Sequence, residues 1–185
     1  KQSLHYYQKT LEIHSSSNNK TGLARVYINL SIIYNKTNKQ DEAEDLLNKA
    51  IEIGKETNDN RLLAVAYGNV GLMHDNAGDY KKALEYYTMS LELKTEMGDR
   101  HSIMISEINI ANTCLKLNQL AQALDHINTA IKIGNELGAK RELIDAFDIQ
   151  SQIYEKKSDY SNAYIALTKK IALNDSIFGT EQLKH

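Results

Sequence analysis

A chain of 185 residues, 42% hydrophobic and 25% charged, carries enough apolar material for one or two domains with a proper core. Its 22 Lys and Arg against 24 Asp and Glu leave a formal charge of −2, so no general positive field draws nucleic acid or an anionic membrane, and no apolar run approaches the ~20 residues of a membrane helix. One cysteine, Cys114, forms no internal disulfide and selects no redox compartment.

The chain opens KQSLHYYQKT, with neither an initiator Met nor a signal-peptide pattern, and reads as a piece of something longer. Leu4, Tyr7 and Leu11 align with the second half of later units, so residues 1–19 are expected to be the second helix of a truncated repeat whose first helix lies upstream. From residue 20 the sequence matches itself at a shift of 40, giving units 20–59, 60–99, 100–139 and 140–179, with 180–185 starting a following segment.

Each unit predicts two helices. In the first, the columns Tyr27, Tyr67, Glu107, Phe147, then Leu30, Val70, Ile110, Gln150, then Ser31, Gly71, Ala111, Ser151 recur at the same register. In the second, Ala43, Ala83, Ala123, Ala163 are followed by Ala50, Ser90, Ala130, Lys170 and by Ile51, Leu91, Ile131, Ile171. Apolar residues at this spacing make one buried helical stripe, and the small residues let helix axes approach closely.

Turns recur every twenty residues at Asn18, Asn38, Asn58, Gly78, Gly98, Asn118, Gly138 and Ser158, in a chain without proline. All but the serine are types that tolerate the left-handed conformation ending a helix. Asp79 and Asp159 follow directly as N-caps. Helices of about 17 residues, ~26 Å long, result. The stretch AYGNVGLMHDNAGDY at 66–80 is therefore no phosphate loop: its glycines fall on the repeat, with no strand before and no Lys-Ser/Thr after.

The units resemble tetratricopeptide repeats in a 40-residue form, on Tyr67, Val70, Gly71, Ala83, Tyr87, Ser90 and GDYKKALEYY at 78–87. His74 and Cys114 stand where the family often has tyrosine, and Gln150 and Lys170 depart from columns that are apolar or small elsewhere. The resemblance implies an all-α, right-handed superhelical solenoid of antiparallel helix pairs, about nine helices in a single array, with the first helices lining a concave surface. It also implies a non-catalytic module binding a protein or an extended peptide.

On that surface Asn29, Asn69 and Asn109 stand in register, followed by Ile149. An amide offers donor and acceptor, so the row either pairs with the backbone of an extended peptide or braces neighbouring helices. Three hydrogen bonds at ~0.5–1.5 kcal/mol each fall short of the ~8 kcal/mol of micromolar affinity, so apolar contacts must supply the rest. Ile28, Ile32, Leu72, Ile105 and Ile108 are expected on the groove side, with Asn112 and Gln152 further along it, and Gly68 leaving a gap for a ligand side chain. Arg25 and Lys36 lie toward one end, and Asp145, Asp148 and Glu155 toward the other. These charges either select a ligand of opposite polarity or are simply solvated. Chaperone-binding relatives clamp a C-terminal carboxylate with basic residues beside such asparagines. The column here is Ile28, Gly68, Ile108, Asp148, without a cation.

Enzyme chemistry finds no support in spacing. His5, His14, His74, His101, His126 and His185 are never three or four apart, so no helical metal pair forms and neither metal nor cofactor is expected. Cys114 occupies a packing column, as do Tyr7, Tyr27, Tyr34, Tyr67, Tyr87 and Tyr154, which argues for core residues over a nucleophile or a base-stacking platform.

Ile177 and Phe178 are expected to meet something beyond the array, and LNDSIFGTEQLKH resembles the end of repeat arrays in bacterial sensor proteins. The functional expectation is a sensor or scaffold segment of a bacterial signalling protein. Alternatives are a dimerisation scaffold, joined through the array ends or with its groove filled by a flanking segment, and a cytoplasmic peptide-responsive regulator. A membrane-anchored sensor would place the segment in the periplasm, the others in the cytoplasm.

Overall fold

The computed structural model describes residues 19–182, with side chains through Ile177. The expected helix at 1–19, the turn at Asn18 and the packing of Phe178 lie outside what is described. Two compact units divide the chain, residues 1–97 and 98–185.

The first unit contains α1 (Lys20–Lys36), α2 (Gln40–Glu56), α3 (Asn60–Asn76) and α4 (Tyr80–Glu96). The second contains α5 (Arg100–Lys116), α6 (Leu120–Leu137), α7 (Lys140–Lys156) and α8 (Tyr160–Gln182). These are eight helices and no strand among the described residues. In each unit the helices pack in consecutive order, and the two first helices of the pairs, α1 with α3 or α5 with α7, also touch.

Every described turn has the same build. Asn38, Asn58, Gly78, Gly98, Asn118, Gly138 and Ser158 all adopt positive φ, between 50° and 81°. In six of these turns the next residue donates its N–H to the carbonyl five positions back, as Asp79 does to His74 and Gln119 to Cys114, at 2.8–2.9 Å. That bond satisfies a carbonyl the helix end leaves open. The same next residue then starts the following helix. Asp79 caps α4 as expected, and Asp159 accepts from the Asn162 N–H at 3.2 Å. Asp59 and Asp99 do the same for α3 and α5.

Ser158, at φ 59°, is the one turn residue whose side chain is poorly suited to that conformation. Ser158→Gly is expected to stabilise the chain by about 0.5–1 kcal/mol, read as a higher urea midpoint at unchanged slope. A lower midpoint would contradict the strain at this turn.

α8 runs 23 residues, beyond the 17 or 18 of the other helices and through the expected boundary at 179. The twentieth position there is Phe178, which does not favour the left-handed turn.

Alanines Ala43, Ala83, Ala123 and Ala163 are buried, as are Ala50, Ser90 and Ala130. At Gly71 a Cβ would stand 2.7 Å from the Tyr87 ring, so glycine here is what brings α3 against α4. Ser90 joins the same pair by donating from Oγ to the Ala64 carbonyl, 2.7 Å away and buried. The two departures in the last repeat find partners. Gln150 donates to Asn128 at 2.8 Å, and Lys170 reaches Asp148 at 2.5 Å.

Candidate functional site

In the first unit, α1 and α3 enclose a cavity of about 290 Å³. Its lining is Arg25, Ile28 and Asn29 from α1, and Arg61, Leu62 and Val65 from α3, with the capping Asp59 at the edge. A smaller cavity of about 50 Å³ lies further along the same two helices, where Ile32 and Lys36 face Asn69, Leu72 and Asn76. Six expected site residues of this unit thus line two neighbouring cavities: Arg25, Ile28 and Asn29 in one, Ile32, Asn69 and Leu72 in the other. On α3, Val65 and Leu72 are 45% and 42% exposed. Seven residues apart, they stand on one helix face with Asn69 between them.

Gly68 lines neither cavity. A Cβ built there would stand 3.3 Å from Ser90 Oγ and 3.9 Å from Lys94 Nζ. The missing side chain therefore faces α4 and leaves no gap for a ligand, which corrects the expectation from sequence. The small residue serves the α3–α4 approach, as Gly71 does one turn later.

Asn69 donates its amide to the Val65 carbonyl of its own helix at 2.8 Å. Its oxygen and its second N–H are left for another partner. Neither Asn29 nor Asn109 forms a side-chain hydrogen bond to a described residue.

In the second unit, Ile105 is exposed on α5, while Ile108, Asn109 and Asn112 are half-buried there. Ile108 packs against the cluster of Met104, Ala130 and Ile133. On α7, Asp148 accepts from Lys170 at 2.5 Å and from Gln152 at 2.9 Å. Its charge is met within the fold, so the acidic end expected at Asp145, Asp148 and Glu155 is partly neutralised.

Glu107 breaks a column of aromatic residues for a visible reason. In the preceding repeat Tyr67 and Tyr86 face each other with ring centroids 6.1 Å apart, and His74 stacks on Tyr86 at 5.8 Å. The equivalents of the tyrosine pair are Glu107 and His126, joined at 2.6 Å between Oε2 and Nδ1. The equivalent of His74 is Cys114, buried, with burial pushing its thiol up from the ordinary value. That direction opposes nucleophilic use. Burial likewise pushes the Tyr87 phenol up. Glu142, held below the usual carboxylate range by its own backbone N–H and then by His101 at 3.0 Å, lies on an exposed helix start. No group of three metal-ligating side chains occurs among the described residues.

Sequence reasoning missed Arg61 and Val65. Val65 was findable, since it shares the 40-residue column of Arg25 and Ile105. Arg61 carries no such signal: it sits in the first turn of α3, outside the packing columns.

An all-α repeat of helix pairs, with apolar and amide side chains displayed between α1 and α3, is the architecture of a helical-repeat family. The tetratricopeptide repeat model matches residues 1–56 and 62–136, and the chain belongs to that family. Comparison with curated proteins finds no match. Among solved structures, BtubC (BKLC) from P. vanneervenii superposes with a TM-score of 0.81 at 18% identity, over 92% of this chain and 70% of that one. A signal transduction ATPase from Pyrococcus horikoshii with a tetratricopeptide repeat sensor gives 0.82 at 16%, over 95% of this chain. The apo form of RapI gives 0.79 at 20%, over 92%. This chain spans 28% of the ATPase and 47% of RapI. The fold is thus the all-α solenoid of this family, whose members generally bind proteins or peptides. No described helix is long and apolar enough to cross a membrane.

Proposed function

We propose that the chain is a non-catalytic peptide-binding module, the sensor or scaffold segment of a larger bacterial signalling protein, and that its ligand is an extended peptide held between α1 and α3. The observation that carries this reading is the pair of cavities lined by Asn29 and Asn69, with Val65 and Leu72 exposed beside them. Apolar side chains left in water at an amide-lined cleft are what a peptide ligand would cover. In a membrane-anchored sensor the segment would work in the periplasm.

The test is selection of peptides from a random library on the immobilised chain, followed by titration against variants. Asn29→Ala with Asn69→Ala is expected to weaken binding about five- to thirtyfold, the equivalent of one or two hydrogen bonds. Unchanged affinity would refute the groove.

A second reading, a dimerisation scaffold, is favoured by α8, where Tyr160, Tyr164 and Ile171 are exposed on one helix face. Sedimentation equilibrium separates the two readings. Dimerisation abolished by Tyr164→Glu, with no peptide captured, would replace the first reading by the second.

A further inference from the structure

The larger cavity has a charge that fits one kind of peptide. Its lining carries two guanidiniums, Arg25 and Arg61, against one carboxylate, Asp59. Asp59 is already engaged, its Oδ1 accepting the Leu62 N–H at 2.9 Å to cap α3. Neither Arg25 nor Arg61 forms an ion pair or hydrogen bond with a described residue, although each has a carboxylate within the same lining. The wall between them is apolar: Ile28 and Leu62 are buried and Val65 is half-exposed.

We infer that this cavity takes an acidic side chain, Asp or Glu, placed next to an aliphatic residue within an extended peptide. The inference rests on the groove reading above and specifies its ligand. A planar guanidinium meets a carboxylate through two parallel hydrogen bonds, and a second guanidinium nearby strengthens the preference for negative charge. The aliphatic neighbour covers Ile28, Leu62 and Val65. At about 290 Å³ the space suits one or two side chains, near the lower limit of ~300 Å³ for small-molecule pockets. An internal acidic residue is the source, not a chain terminus, because the lining continues past this cavity to the smaller one at Asn69 and Leu72. The backbone therefore has a path onward in the bound peptide.

The experiment uses the full chain and a phage-displayed library of random dodecapeptides. Selected sequences are expected to be enriched in Asp or Glu beside Leu, Ile or Val, and the enrichment to vanish on an Arg25→Ala, Arg61→Ala chain. Both arginines are exposed, so the variant should keep its thermal midpoint, and circular dichroism verifies that. The most enriched sequence, synthesised with acetyl and amide ends, should bind about tenfold more tightly than its counterpart with Glu changed to Gln or Asp to Asn. The difference should shrink in 0.5 M NaCl. Enrichment without an acidic residue, or binding that requires a free C-terminal carboxylate, would overturn the acidic-pocket inference and leave the groove standing. No enrichment of any sequence would overturn both.

Discussion

Replacing Gly71 by alanine is expected to destabilise the first unit by about 1–2 kcal/mol. The added Cβ would meet Tyr87 Cδ1 at 2.7 Å and Cε1 at 2.8 Å, closer than any real methyl contact. The Tyr87 ring is buried and cannot swing aside. Overpacking of this kind costs ~1–3 kcal/mol, from which the better helix propensity of alanine recovers up to ~1 kcal/mol. Gly68→Ala is the control, because its Cβ would meet Ser90 Oγ at 3.3 Å and Lys94 Nζ only at an ordinary 3.9 Å. There the propensity gain and a small shift of Ser90 should offset to within about 0.5 kcal/mol. Urea unfolding of the two variants at equal slope measures the contrast. Equal losses would show that the α3–α4 approach does not depend on Gly71.

Glu107→Ala is expected to cost about 2 kcal/mol. Glu107 is 9% exposed and bonded to His126 at 2.6 Å. Losing a hydrogen bond to a charged group costs ~1.5–3 kcal/mol, and the His126 side chain left behind, 34% exposed, can turn to water. Changing both residues to tyrosine recreates the pairing of Tyr67 with Tyr86 and should recover most of the loss, as replacement of a buried pair by packed apolar groups often does. A double-mutant cycle in urea reads both effects. A loss below about 0.5 kcal/mol on Glu107→Ala would mean the pair is only a surface contact.

Most of the fold was legible because its rules are local and repeated. A turn residue at every twentieth position, nearly always Asn or Gly and at four turns followed directly by a capping Asp, fixes where each helix stops and the next begins, and the small columns fix which faces meet. Asp59 and Asp99, not named from the sequence, cap by the same logic as Asp79. The candidate site was legible in part. The columns located Asn29, Asn69, Ile32 and Leu72 on the α1–α3 side, since groove-facing positions follow from packing positions by helical geometry. What escaped depends on contacts between elements. Gly68 read as an opening because sequence cannot say that its vacant side faces Ser90. Asn69 could not be seen to spend one of its two N–H donors on Val65. The charges at Asp148 and Lys170 meet across two helices, 22 residues apart, and Glu107 makes sense only opposite His126. Arg61 lines the cavity from the first turn of a helix, where no periodic constraint marks it.

Whether a peptide seats between α1 and α3 can be read from the side-chain amide resonances of the 15N-labelled chain as a selected peptide is added to saturation. Those of Asn29 and Asn69 are expected to shift, while those of Asn48 on α2 and Asn128 on α6 stay in place. Shifts confined to Asn48 or Asn128, at a peptide concentration that saturates binding, would contradict that seating.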